Sequence, residues 1–203
     1  MSNYKRFLNT IIISSIVFLL QSCTSSGPAT SFYSLFAHPS PEKVSFNNKG
    51  TTIGIAPVTL PEYLDNPSVI SLTETQRVKI LGYHAWAGSF KESINRVLAD
   101  DISNILNLDA VWSFPWDNRI RPDYQIRIVF DELAGKQGDK VRLKAKWTVL
   151  NKKGNTAVLV GSKNIEQATN SKSADDYVAA INRTLNELSL SIAKQLAARL
   201  SES

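Results

Sequence analysis

The spacing of apolar positions changes character several times along this chain. Phe7 to Leu20 has no period at all: it is mostly Ile, Leu, Val and Phe, without a charge. Short apolar runs follow at Phe32–Phe36, Thr52–Val58, Val69–Leu72 and Arg77–Tyr83, each read as a strand. In the last of these, Val78 and Ile80 alternate with Arg77 and Lys79, the period of two expected of a half-buried strand. From residue 89 the step becomes three and four. Phe90, Ile94, Val97, Leu98, Ile102, Ile105 and Leu106 fall on one helical face, and Ser89 with Glu92 has capping-box spacing. This helix is expected to end near Asn107, followed by a short strand within Asp109–Phe114.

Period two then returns. Tyr124, Ile126, Ile128 and Phe130 alternate with polar residues, as do Val141, Leu143, Ala145, Trp147 and Val149. Turns at 135–138 and 151–154 connect these runs to a third, Thr156 to Gln167. Such short turns predict an antiparallel meander with one solvated face, carrying Arg127, Lys144 and Lys146. Ser173, Asp175 and Asp176 open a last helix, striped by Tyr177, Ile181, Leu185, Leu188, Ile192, Leu196 and Leu200. It runs for about 27 residues, roughly 40 Å. The order predicts an α/β fold: a mixed, largely antiparallel β-sheet covered by two main amphipathic helices. A right-handed crossover through the first helix sets an early strand parallel to a later one.

The apolar run near the amino terminus now takes on meaning. Lys5 and Arg6 precede it, it is about 14 residues long where a membrane span needs about 20, and small residues close it. These are the parts of an export signal. Cys23 is the single cysteine, so it cannot close an intrachain disulfide. Leu20-Gln21-Ser22-Cys23 resembles the lipobox of bacterial lipoproteins, with Gln21 departing from the usual small residue. That resemblance implies a lipid on the Cys23 sulfur, cleavage just before it, and acylation of the new amino group. A buried core cysteine and an unlipidated signal peptide are the alternatives. One acyl chain binds a bilayer only reversibly, whereas three hold the protein there. Thr24, where an Asp would favour inner-membrane retention, points to the outer membrane. The expected organisation is a lipoprotein signal peptide at 1–22, a lipidated cysteine and tether at 23–31, and one globular domain at 32–203. Thr24 to Ser31 can span at most about 26–29 Å, so the domain stays close to its membrane.

Composition narrows the function classes. Cleavage before Cys23 removes Lys5 and Arg6 and no acid, taking the formal net charge from +5 to +3. That mild basicity does not argue for nucleic-acid binding. His38 and His84 lack the spacing of a metal pair, and no nucleophile elbow or phosphate-binding glycine loop occurs. Asp100–Asp101, Asp131–Glu132 and Asp175–Asp176 are adjacent pairs, whose side chains point apart in a strand or helix. No catalytic residue, no metal and no cofactor beyond the covalent lipid on Cys23 is expected. Two stretches stand apart. Leu60 to Pro67 is stiffened by prolines around Tyr63 and Leu64, and Tyr83 to Trp86 leads into the first helix. Stiff aromatic loops lose little entropy on docking, so Pro61, Glu62, Tyr63, Leu64 and Trp86 are candidate partner-binding residues. The competing reading has Tyr63 and Leu64 plugging the core and Trp86 stapling the helix start.

Ile53-Gly54-Ile55-Ala56-Pro57-Val58, then Leu60-Pro61-Glu62-Tyr63-Leu64-Asp65 with Pro67, then a hairpin ending near Trp86, resemble the ABC-type transport auxiliary lipoproteins of the PqiC/YmbA type. Phe32-Tyr33-Ser34-Leu35 and the lipobox fit as well, while Asn66 replaces an expected basic residue. The resemblance implies a non-enzymatic, outer-membrane-anchored periplasmic lipoprotein. It would be the docking component of a mammalian-cell-entry (MCE) lipid transport system between the two membranes. Its implied partner is an MCE-domain periplasmic tube protein, met by a homo-oligomeric ring. Two other readings remain: a structural or assembly lipoprotein supporting an outer-membrane barrel, and a lipid- or small-molecule-binding module.

Overall fold

The computed structural model describes residues 27–38, 42–46, 50–117 and 119–201. Cys23 and the proposed signal peptide lie outside the described residues. The chain divides into two units, Met1–Thr30 and Ser31–Ser203, and all the elements below belong to the second.

Eight strands and two helices are described. They run β1 (Ser31–Tyr33), β2 (Ile53–Ile55), β3 (Ser68–Leu72), β4 (Val78–Trp86), α1 (Phe90–Leu106), β5 (Val111–Ser113), β6 (Tyr124–Gly135), β7 (Lys140–Asn151), β8 (Ala157–Ala168) and α2 (Ala174–Ser201). The fold is mixed α/β, with its strands in two sheets. A five-stranded sheet has the order β5-β2-β6-β7-β8, with β2 parallel to both β5 and β6 and the β6–β7–β8 meander antiparallel. The crossover through α1 thus places an early strand parallel to later ones. A three-stranded sheet has the order β1-β4-β3, with β1 parallel and β3 antiparallel to β4.

The helices start and stop where local chemistry dictates. The Ser89 hydroxyl accepts the Glu92 N–H at 3.2 Å, and Asn107 closes α1 in the left-handed conformation at φ 53°. Ser173 Oγ accepts the Asp176 N–H at 3.2 Å at the start of α2. α1 packs against α2, β2 and β5, while α2 lies along β7 and β8. The meander turns Ile126, Ile128, Phe130, Val141, Leu143, Ala145, Trp147 and Val149 inward, and Arg127, Lys144 and Lys146 are exposed.

Three buried polar side chains stitch the layers together. Asn95 of α1 accepts the Val58 N–H (3.0 Å) and donates to the Ala56 carbonyl (3.3 Å), fixing the chain after β2. Asp101, fully buried, accepts the His38 N–H and the Ser189 hydroxyl, each at 3.2 Å, joining α1 to α2. Tyr177, also fully buried, links the two sheets. Its hydroxyl accepts the Gly135 N–H of β6 and donates to the Ile70 carbonyl of β3, both at 3.0 Å.

The strand at Arg77–Tyr83 departs from its pattern. Alternation there predicts one buried apolar face, yet Val78 and Ile80 are 50% and 57% exposed, and Lys79 is exposed as well. The reason is position. β1 reaches β4 only at His84–Trp86, so the first half of β4 lies at the sheet's margin.

Candidate functional site

Glu62–Leu64 forms one 3-10 turn, closed by the Leu64 N–H to the Pro61 carbonyl and the Asp65 N–H to the Glu62 carbonyl, both at 3.0 Å. Asn66 Oδ1 then accepts the Ser68 N–H at 2.9 Å, an Asx turn that leads into β3. The Pro67 carbonyl accepts the Trp86 N–H at 2.7 Å, fastening the loop to the end of β4. The loop is therefore rigid, as its prolines suggest.

Its side chains divide in two. Leu64 is 3% exposed and joins the core, and so does Trp86 at 7%, stacked over Phe90 with ring centroids 4.3 Å apart and planes 18° apart. The surface role expected of these two residues is corrected by their burial: Leu64 plugs the core, and Trp86 packs on the first residue of α1. Glu62 is exposed, while Pro61 and Tyr63 are half-buried, Tyr63 packing against the core. Burial pushes the Tyr63 phenol above its usual pKa. The Glu132 carboxylate adds to that shift and the Arg142 guanidinium opposes it. Glu132 and Arg142 form an ion pair at 2.8 Å on β6 and β7, so the accessible part of the loop lies beside a charged pair.

A second surface feature escaped the sequence reading. Ala56, Pro57, Thr59, Phe114, Trp116, Arg127 and Val129 are among the residues lining a cleft of about 390 Å³. The Phe114 and Trp116 rings meet edge to face at 5.5 Å. Trp116 and Pro122 lie against Gly54, where a Cβ would come within 2.9 Å and 2.8 Å of them, so only glycine lets them approach β2 this closely. The isolated glycine in Ile53-Gly54-Ile55 was the available signal for that close approach.

Each adjacent acidic pair has at least one member with a structural partner. Asp101 is held as described above, Asp131 pairs with Lys146 at 3.0 Å, and Asp176 accepts the Ser171 N–H at 2.7 Å. Burial, partly offset by the Ser189 hydroxyl, Asn186 and the His38 N–H, pushes the Asp101 carboxyl up to about 6. His84 is hydrogen-bonded to the Tyr33 hydroxyl at 2.9 Å. Among the described residues, no three His, Cys, Asp or Glu side chains cluster to hold a metal, and no helix is long and apolar enough to cross a membrane.

Residues 33–193 match the family model described as ABC-type transport auxiliary lipoprotein component. The chain belongs to that family. Two solved structures share its fold. One, of an uncharacterized protein, has TM-score 0.66 and 15% identity and covers 83% of this chain and 99% of that chain. The other is a Xanthomonas campestris protein, with TM-score 0.64 and 13% identity, covering 86% of this chain and 95% of that chain. None of the curated proteins matches the sequence. As a family member, the chain carries its rigid loop and its aromatic cleft on a transport auxiliary lipoprotein domain.

Proposed function

We propose that this lipoprotein is the non-enzymatic docking component of an MCE-type lipid transport system. It is acylated at Cys23 and held on the periplasmic face of the outer membrane. The observation that carries the reading is the family match over 33–193, on a domain in which Asp101, Asp131 and Asp176 are engaged in structural bonds. A domain tethered within about 30 Å of one membrane cannot bridge two, so a long partner must reach it. A ring of copies of this chain would match the symmetry of a tube. Pro61, Glu62 and Tyr63 form the proposed contact, since Glu62 is exposed and the other two partly so on a loop already fixed at both ends.

The test is capture of an MCE-domain protein from detergent extract by the full-length lipoprotein. Glu62→Lys and Tyr63→Ala should each weaken capture about tenfold, the equivalent of about 1.4 kcal/mol, with the Glu62→Lys unfolding midpoint close to the parent's. Capture at parental strength by both variants, or no MCE protein in repeated pulldowns, would refute the proposal. Labelling with radioactive palmitate reports the anchor, and Cys23→Ser should abolish it.

A further inference from the structure

We propose that a cationic cleft beside the β3–β4 turn is a binding site for a phosphomonoester, free in solution or at the head of a lipid. The inference is independent of the docking role proposed above and of the Cys23 anchor.

Three separate segments build the cleft, which has a volume of about 360 Å³. The first is the β3–β4 hairpin. Ser71 and Lys79 are cross-strand partners there, so their side chains leave the same face of the sheet. The turn beyond them carries Glu74. It is closed by the Thr73 N–H to the Arg77 carbonyl at 2.9 Å and by the Arg77 N–H to the Thr73 hydroxyl at 3.1 Å. The second segment is the β6–β7 turn, which supplies Lys136 and Gln137, and the third is the link from β8 to α2, which supplies Lys172. Gln137 Nε2 donates to the Lys172 carbonyl at 3.0 Å. The Lys172 stem packs on Gly138, where an added Cβ would come within 2.7 Å of its Cγ. Lys172 is thus held against the turn both at its backbone and along its stem.

Two observations select the ligand. The first is charge. Among the lining residues the three ammoniums of Lys79, Lys136 and Lys172 meet one carboxylate, that of Glu74, a formal excess of +2. Lys136 is paired with Glu74 at 2.5 Å, while Lys79 and Lys172 have no salt-bridge partner among the described residues. The hydrogen bond from Lys136 holds the Glu74 carboxyl below its usual pKa range, and the Lys172 charge adds to that shift, so both cations bear on one point. The adjoining recess adds Asp139 and Arg142, one charge of each sign, and leaves the excess unchanged. The second observation is an unused donor. Ser71 is 1% exposed and lines the cleft, and its hydroxyl has no hydrogen-bond partner among the described residues. Buried polar side chains are nearly always bonded, so this one points to an acceptor from outside the chain. A phosphomonoester meets both conditions. It carries about −1.5 to −2 at pH 7, and its oxygens accept from ammoniums and a hydroxyl together. A single carboxylate would leave one cation uncompensated.

The experiment is isothermal titration calorimetry of the full-length protein in non-ionic detergent. Glycerol 3-phosphate is the soluble probe, and phosphatidic acid dispersed in the same detergent is the lipid probe. At least one should bind saturably, and which one does so identifies the source of the phosphate. Lys79→Gln and Lys172→Gln should each weaken that binding about fivefold, and Ser71→Ala about threefold. Glu74→Gln should tighten it several-fold, a gain that misfolding cannot produce. Lys91→Gln and Lys153→Gln remove the same charge from α1 and from the β7–β8 turn, at the other end of the meander, and should leave the affinity unchanged. No saturable binding of either probe overturns the proposal. Equal losses in the two control variants overturn it as general charge attraction, and a Glu74→Gln variant no tighter than the parent overturns the placement of the site. A triglutamate peptide that binds as tightly as the phosphates overturns it in favour of an acidic protein segment.

Discussion

Replacing Tyr177 with Phe keeps the ring and deletes one oxygen from a site with no access to water. That oxygen accepts the Gly135 N–H and donates to the Ile70 carbonyl, each at 3.0 Å, and is the bridge between β6 and β3. Tyr177 is fully buried, so neither backbone group gains a water when the hydroxyl is lost. A buried donor or acceptor left unmade costs about 1–3 kcal/mol. The donor Gly135 N–H suffers the full penalty, and the Ile70 carbonyl, with a second lone pair, suffers less. We expect a total loss of about 2–4 kcal/mol. With a urea m-value of about 1–3 kcal/mol/M, the unfolding midpoint should fall by about 1–2 M with little change in slope. The assay is urea denaturation of the full-length protein in non-ionic detergent, followed by tryptophan fluorescence. Amide hydrogen exchange gives a local reading: the Gly135 N–H should exchange at least tenfold faster in the variant. A stability loss below about 0.5 kcal/mol, with Gly135 still protected, would show that this hydroxyl does not hold the two sheets together.

The remaining predictions concern the helix pair and the meander. The Asp101 carboxyl is pushed up from 3.8 to about 6, so the folded protein holds this proton more tightly than the unfolded chain. Its contribution is fully present below the unfolded value and is lost as pH rises through the folded one. The wild type should lose about 2–3 kcal/mol between about pH 4 and pH 6 relative to Asp101→Asn, which keeps an acceptor for the His38 N–H. Urea midpoints across that range check this, and parallel curves for the two proteins would refute it. Gly161→Ala would drive a Cβ into the indole of the fully buried Trp147 on the neighbouring strand. Overpacking there should cost about 1–3 kcal/mol and alter the near-UV circular dichroism of the tryptophans, and an unchanged spectrum with an unchanged midpoint would contradict the packing described.

The long elements were legible because each repeats its period several times. The stripe from Phe90 to Leu106, with its Ser89 cap, and the alternation through β6 and β7 left little room for another reading. Three-residue strands such as β1, β2 and β5 carry too few positions for a period, and β1 proved shorter than the apolar run suggested. The division into two sheets depends on contacts the pattern does not encode. Tyr177 reads as one more apolar position in a helical stripe, and only the fold shows its hydroxyl reaching two strands. At the candidate site, the prolines correctly announced a stiff loop. Which of its residues face outward depended on the 3-10 turn, and that turned Leu64 in while leaving Glu62 out. Val78 and Ile80 misled for a related reason: alternation reports that a strand has two different faces, not that either one is covered.

The strand nearest the tether is also one of the smallest, three residues held in parallel to the end of β4. A pull on the amino-terminal segment would therefore load that brief seam before any other element of the domain. Just beyond it sits Leu35, wholly enclosed, with the Phe36 N–H bonded to Asn182 of α2 at 3.2 Å. Tension there would strip β1 away and free about 10 Å of chain before meeting this catch.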